Sequence, residues 1–114
     1  MAVMKAERLA QTILKELSHI IQFELKDNKV GFVTITDVRV TNDLSQAKVY
    51  VNFLGSEDRE SAGLKALERS KGFLRSELAK KLTMRKVPEL IFVIDDSLAK
   101  GNRIEELLKE IKDK

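Results

Sequence analysis

The segment from residue 47 to residue 53 constrains the fold more strongly than any other part of the chain. Apolar and polar residues alternate there, with Ala47, Val49, Val51 and Phe53 against Lys48, Tyr50 and Asn52. A strict period of two is the pattern of a β-strand with one buried and one open face. Such a strand needs neighbouring strands for its backbone hydrogen bonds and helices over its apolar face. We therefore expect a sheet that is covered on one side.

The segments before this strand predict a helix and a second strand. Residues 4–25 carry apolar side chains at intervals of three and four, which is the pattern of an amphipathic helix. Residues 32–40 have the Val, Ile and Thr content of a strand, but their alternation slips near Thr36 and Asp37, which predicts a β-bulge. Turn-forming residues follow at positions 41–45. The two strands should therefore pair as a hairpin.

The middle of the chain predicts a bent helical unit. A helical pattern runs over residues 61–82, with Asp58 or Ser61 as the capping residue, and is interrupted at Gly72. Glycine costs about 1 kcal/mol relative to alanine inside a helix. We therefore expect Gly72 to mark a bend or a close approach of the backbone to something else.

The last part of the chain predicts one more strand and one more helix. Residues 90–94 form a short apolar run after Pro88, typical of a buried strand, and residues 104–111 return to helical spacing with Asn102 and Glu105 placed as a capping box. The predicted order is helix, strand, strand, helix, kink, helix, strand, followed by a C-terminal helix. This α+β order matches the type II KH arrangement, in which helices cover a three-stranded mixed sheet. We expect one domain over residues 1–114.

Composition removes most kinds of chemistry. The chain has no cysteine and only one histidine, which excludes disulfides, a thiolate nucleophile and a cysteine zinc site. Adjacent Asp95 and Asp96 suit capping of a turn better than acid–base or magnesium chemistry, and His19 suits a surface or boundary position. We therefore expect no enzyme activity, catalytic residue, metal, cofactor or small-molecule substrate. No apolar run is long enough to span a membrane and no signal sequence is visible, so we expect a cytoplasmic protein. We also expect it to be a monomer.

The charge distribution points to a polyanionic partner. The whole chain has a net charge of +3, but residues 69–86 hold seven basic residues and one acid, Glu77, so the rest of the chain is net negative. A local concentration of Lys and Arg is the electrostatic mark of a nucleic-acid site. The candidate RNA-contacting residues are Arg69, Ser70, Lys71, Gly72, Arg75, Lys80, Lys81, Arg85 and Lys86. An alternative is that these are ordinary solvated charges on a helix.

Recognition of bases looks weak from the sequence. Most of the six aromatic residues fall at positions that we expect to be in the core. Tyr50, on the opposite strand face from Val49 and Val51, is the one plausible exposed stacking residue, although cross-strand packing would also explain it. The sequence therefore predicts affinity from phosphate contacts and specificity from RNA shape.

Several stretches of the chain resemble the ribosome-binding factor A family. The match is densest over residues 84–92, continues through residues 95–97 and 101–104, and includes residues 33–38 and 43–51. Typical KH domains have a GxxG loop between their central helices, whereas this family has Ala-x-Gly at a kink. The present chain has Ser70-Lys71-Gly72 there, and its Asn28 stands where the family often has proline. Serine is small enough to keep the kink.

The resemblance implies a function that the residue pattern alone does not. It implies an assembly factor that binds the small ribosomal subunit and 16S rRNA and assists late maturation, including 16S 5′-end processing, notably in the cold. It also adds Arg103 to the candidate RNA contacts, although entry into the last helix explains that motif equally well. Two alternatives remain: a general KH-type protein acting on messenger or small RNA, against which the missing GxxG counts, and a protein-binding module, against which the basic segment counts.

Overall fold

A computed structural model of the chain describes residues 2–25, 29–55, 57–84 and 86–95, with side chains described for all of these except 2–4 and 57. The elements in chain order are α1 (Ala2–Phe23), β1 (Val33–Val40), β2 (Gln46–Phe53), α2 (Glu57–Arg69), α3 (Lys71–Leu82) and β3 (Glu89–Ile94). The predicted order of these six elements is confirmed. The predicted C-terminal helix and its capping box lie outside the described residues, as do Asn28, Arg85 and Arg103.

The three strands form one mixed sheet with β2 in the centre. β1 pairs with β2 as an antiparallel hairpin, and the register shifts between Ile35 and Asp37, which confirms the predicted bulge. β2 and β3 run parallel, because the α2–α3 unit carries the chain back across the covered face before β3 begins. The bulge lets Ile35 and Val38 both reach the buried face although they are three residues apart.

The core lies between one face of this sheet and the helices. The alternating side chains of β2 are buried as predicted, and α1 contributes a stripe at helical spacing that includes Ile13, Leu17 and Ile20, all fully buried. α1 packs on β1 and α3, while α2 packs on β2 and β3. Burying a large aliphatic side chain is worth roughly 1.5–3 kcal/mol. This two-layer packing is what holds the α2–α3 unit in place.

The bend in the α2–α3 unit is not at Gly72. α2 already begins at Glu57, ahead of both Asp58 and Ser61, and the non-helical residue between the helices is Ser70. Gly72 lies in the first turn of α3, it is not among the residues with positive φ, and a Cβ placed on it would meet nothing within 4 Å. The break therefore lies at the first residue of the predicted Ser70-Lys71-Gly72 kink and not at Gly72, and Gly72 makes no close contact with the described residues. The small residue at the bend is the serine.

The expectation that most aromatic residues are in the core is also wrong. Phe53 and Phe92 are buried, but Phe23, Phe32 and Phe73 are exposed. Single apolar residues at element ends or within mixed sequences carry no periodic signal, so their exposure depends on how the elements pack.

Candidate nucleic-acid interface

The junction between α2 and α3 is tight. The Ser70 amide donates to the carbonyls of Ala66 and Leu67, each at 3.1 Å, and its carbonyl accepts the Leu74 amide at 2.9 Å. Ser70 has φ −93° and ψ 2°, and its side chain makes no capping hydrogen bond. Leu67 and Leu74, on either side of the junction, are fully buried. The helical unit is therefore interrupted at a single residue while both helices stay anchored in the core.

A cleft of about 430 Å³ opens beside this junction, and we call it the kink cleft. It is lined by Ser45, Lys71, Gly72, Arg75, Lys86, Val87 and Glu89. The walls are the first turn of α3, the turn before β2 and the chain entering β3. Three lining side chains are cationic and one is acidic, so the cleft carries a net positive charge. Four of the predicted RNA-contacting residues, Lys71, Gly72, Arg75 and Lys86, come together here.

Two of the cations in the kink cleft also shape it. Arg75 Nη2 donates to the Val87 carbonyl at 2.8 Å and so ties α3 to the segment that enters β3. Lys71 Nζ lies 2.8 Å from Glu68 Oε2 and 6.0 Å from the centre of the Phe92 ring. An Arg and a Lys held in this way lose less side-chain entropy when an anion binds than freely moving surface cations would. The cleft is a preorganised cationic surface.

The opposite wall of the kink cleft depends on the turn between β1 and β2. Asp43 Oδ1 accepts hydrogen bonds from Thr41 Oγ1 at 2.7 Å, Ser45 Oγ at 2.7 Å and the Ser45 amide at 3.1 Å. These bonds stabilise the ionised form and lower the pKa of the Asp43 carboxyl to about 2. The Ser45 carbonyl then accepts the Glu89 amide at 2.9 Å, where β2 and β3 begin to pair. The turn thus places Ser45 in the cleft.

The other predicted cations lie elsewhere. Lys80 is exposed and pairs with Glu77 at 3.2 Å, one turn back on α3. Lys81 reaches across to the end of α1, where its Nζ lies 3.7 Å from Oε1 of Glu24, the residue that follows the helix. Both stand in the last turn of α3, where cations stabilise the helix dipole. These two residues therefore have a structural role whether or not RNA also contacts them.

Arg69 belongs to a second depression that sequence reasoning missed in part. Lys29, Asp58, Ser61, Ala62, Lys65 and Arg69 line it. The Arg59 guanidinium donates to the Lys29 carbonyl and so holds the loop before β1 against α2. The i, i+4 spacing of Lys65 and Arg69 was a visible signal for two of these cations. Lys29 is far away in the chain, and only the packing of its loop brings it here.

Tyr50 lies on the open face of the sheet and is half-buried. The Arg39 guanidinium stands 5.8 Å from the centre of its ring. Asp37 accepts a hydrogen bond from Arg39 Nε at 3.1 Å, and this bond raises the Arg39 pKa above its ordinary value. The ring therefore has a cross-strand partner within the protein. This arrangement favours cross-strand packing of Tyr50 over a role as an exposed stacking residue.

Comparison with known proteins identifies the family. A family model described as ribosome-binding factor A matches residues 5–108. A protein named ribosome-binding factor A from Staphylococcus carnosus is 49% identical over 111 residues, which cover 97% of this chain and 96% of the relative. The chain belongs to the ribosome-binding factor A family.

Solved structures of ribosome-binding factor A proteins have the same fold. The crystal structure from Thermus thermophilus has a TM-score of 0.69 and 30% identity, covering 78% of this chain and 93% of that one. The solution structure of a putative member from Thermotoga maritima has a TM-score of 0.64 and 34% identity, with 76% and 83% covered. A homology model of the Thermus thermophilus protein, fitted into a cryo-electron microscopy map of its complex with the 30S subunit, scores 0.65 at 30% identity, with 76% and 91% covered. The predicted α+β KH-like class is confirmed.

The described residues were also compared with the requirements of a metal site and of a membrane-spanning helix. Within the described ranges, no three His, Cys, Asp or Glu side chains are grouped so that they could hold a metal ion. The same part of the chain contains no helix with the length and apolar character needed to cross a membrane.

Proposed function

We propose that this chain binds the free small ribosomal subunit in the cytoplasm, as one domain and as a monomer, and that the kink cleft contacts 16S rRNA. The observation that carries the proposal is the convergence of Lys71, Arg75 and Lys86 on one cleft in a member of the ribosome-binding factor A family. Arginine grips phosphate bidentately and lysine supplies a point charge. Open space at Gly72 lets a phosphate approach the α3 backbone closely.

We further propose that binding assists late maturation of the subunit, including processing of the 16S 5′ end, and that it matters most at low temperature. No catalytic set is apparent among the described residues, so the protein would act through binding energy alone, by favouring one rRNA conformation over others. Stable misfolded pairings of rRNA persist longer in the cold. Such assistance should therefore be needed more as the temperature falls.

The direct test is sedimentation combined with binding at several salt concentrations. Wild-type protein should migrate with free small subunits rather than with mature ribosomes or messenger RNA. If roughly 4 to 6 phosphates are neutralised, log K should fall against log salt with a slope of about −3 to −5. Co-migration with messenger RNA instead would favour the general RNA-binding alternative.

A substitution in the kink cleft tests whether the RNA contact lies there. Lys86→Glu should weaken binding and reduce the magnitude of the salt slope by about 1, because one phosphate contact is lost. Lys15→Glu, on exposed α1 surface, makes the same charge change and should leave the slope unaltered. Equal behaviour of the two variants would contradict the assignment of the cleft. Lys81→Glu is unsuitable here because Lys81 also pairs with Glu24.

The physiological test is deletion of the gene. Growth should slow more at low than at high temperature, and free small subunits carrying unprocessed 16S precursor should accumulate. Normal subunit profiles in the cold would argue against a maturation role even if the purified protein binds the subunit.

A further inference from the structure

The second depression follows one face of α2 and has a volume of about 320 Å³. Its α2 residues recur mostly at intervals of three and four, so their side chains share a face of the helix: Asp58, Ser61, Ala62, Lys65 and Arg69. From the first of these to the last, the helix rises about 16 Å. Lys29 is the sixth lining residue and comes from the loop before β1. Three exposed cations against one exposed acid give this surface a net positive charge.

The backbone of Lys29 is held against α2 by Arg59. The Arg59 guanidinium donates to the Lys29 carbonyl. The Arg59 side chain runs past Gly31 and Gly55, which have φ of 66° and 126°. A Cβ placed on either glycine would overlap this side chain. The two glycines therefore leave room for the arginine, and the loop that carries Lys29 is tied to the helix before any ligand binds.

The second depression ends where the kink cleft begins. Arg69 is the last residue of α2 and lines the depression, whereas Lys71 is the first residue of α3 and lines the kink cleft. Only Ser70 lies between them, so their Cα atoms are at most about 7 Å apart. From this junction the depression runs back along α2, away from the cleft. Anions held in the two places are therefore different groups, and a large polyanion can reach both.

We propose that the second depression is a second phosphate-binding site, in which Lys29, Lys65 and Arg69 contact the sugar-phosphate backbone of RNA independently of the kink cleft. The inference rests on the proposed function, which supplies the RNA. It adds two contacts, Lys29 and Lys65, that lie outside the basic segment 69–86. Among the described lining residues only Ala62 is apolar, whereas the centre of a protein–protein interface is usually apolar. The charge of the depression fits a phosphate backbone better than an acidic protein.

The first measurement is the salt dependence of binding to the small subunit. Lys65→Gln should reduce the magnitude of the slope of log K against log salt by about 1, because one phosphate contact is lost. Lys15→Gln makes the same charge change on the exposed surface of α1 and should leave the slope unaltered. Combining Lys65→Gln with Lys86→Glu should reduce the magnitude by about 2, since the effects of separate sites add.

Two outcomes of this measurement have different meanings. If Lys65→Gln leaves the slope unaltered while Lys86→Glu still reduces it, the second site is wrong and the proposed function stands. If the wild type does not bind the subunit, the proposed function itself is wrong.

The second measurement uses the acid in the depression and predicts a change of opposite sign. Asp58→Asn makes the site more positive and should tighten binding by up to about fivefold, the size of an interaction between exposed charges. Its Tm should fall slightly, because an acid in the first turn of a helix stabilises the helix dipole. Glu60→Gln makes the same charge change in that turn but outside the described lining, and should tighten binding less. Unchanged or weaker binding of Asp58→Asn would overturn the proposal.

The third measurement separates RNA from protein as the occupant of the depression. Lys65→Gln should weaken binding to protein-free 16S rRNA as well as to the subunit, and Lys15→Gln should weaken neither. If Lys65→Gln weakens binding to the subunit alone, the depression contacts a ribosomal protein and the phosphate assignment is wrong.

Discussion

The two helices of the bent unit each contain one glycine, and the surroundings of the two glycines are opposite: one is packed against the sheet and the other faces open space. Gly63 in α2 lies directly on the sheet, and a Cβ placed on it would overlap the Phe53 ring. Gly72 in α3 faces open space beside the kink cleft. In α2, the missing side chain allows a helix to pack closely on β2. In α3, it leaves backbone accessible to a ligand.

The charges of the two helices differ in their first turns. α2 begins with acidic residues and α3 begins with Lys71, whereas both helices end with basic residues, Arg69 in α2 and Lys80 and Lys81 in α3. Lys71 at the start of α3 lines the kink cleft, but Lys81 at its end reaches α1. A basic residue on α3 therefore lines the kink cleft or contacts another part of the fold depending on its turn. Equal charge in the sequence does not mean equal function.

The largest effect expected from this comparison is on stability. Gly63→Val should force the buried Phe53 ring to move and lower the free energy of unfolding by about 2–3 kcal/mol, in the range typical of overpacking. Thermal melting should show a clear decrease in Tm, by about 4–8 °C for each kcal/mol. Phe53→Leu removes ring atoms from the contact and should recover part of the loss in the double variant. Additive effects would mean that Gly63 and Phe53 do not clash.

The matched substitution in α3 sharpens the contrast. Gly72→Val meets no atom within 4 Å, and valine is slightly better than glycine in a helix, so the Tm should stay the same or rise by a small amount. Affinity for the small subunit should fall because the side chain covers the open backbone. A large loss of stability in Gly72→Val would show that the two glycines are alike.

A smaller effect separates the two ends of α3. Lys81 and Glu24 are each about one third exposed or less, at 28% and 33%, so their ion pair is partly shielded from solvent. Lys81→Gln should lower stability by about 0.5–1 kcal/mol, whereas Lys80→Gln, at an i, i+3 pair whose lysine is 71% exposed, should cost at most about 0.5 kcal/mol. Chemical denaturation at low salt measures both. The reverse order would place the structural role at Lys80.

The smallest effect concerns the turn that faces α3 across the kink cleft. The Asp43 pKa is lowered to about 2 in the folded protein, so its contribution to stability is complete above the ordinary carboxyl pKa of about 4 and is lost as the pH falls towards 2. The difference in Tm between the wild type and Asp43→Asn should therefore shrink between about pH 5 and pH 2. A constant difference over that range would mean that the ionised carboxylate does not hold the turn.

The sequence predicted the elements well because each carries its own period. The alternation in β2, its slip in β1 and the helical stripe of α1 are local patterns, and the structure confirms all three. The prediction placed the kink at Ser70-Lys71-Gly72 with the break in the helical pattern at Gly72, because glycine is the poorest ordinary helix former, but the break is at Ser70. Hydrogen bonds to Ala66 and Leu67 let the backbone turn there without glycine. Propensity is a weak guide where packing on both sides fixes the helix directions.

The sequence by itself determined the family, the order of elements and the stretch in which basic residues are concentrated, because all three follow from residues that are close along the chain. Only the tertiary structure decided which cations share a surface. Lys71, Arg75 and Lys86 meet in the kink cleft beside Ser45, Lys81 turns to α1, and the loop before β1 brings Lys29 to α2. The physical reason is that charge and ring surfaces act through distances in space, which are set by how helices pack on the sheet rather than by spacing along the chain.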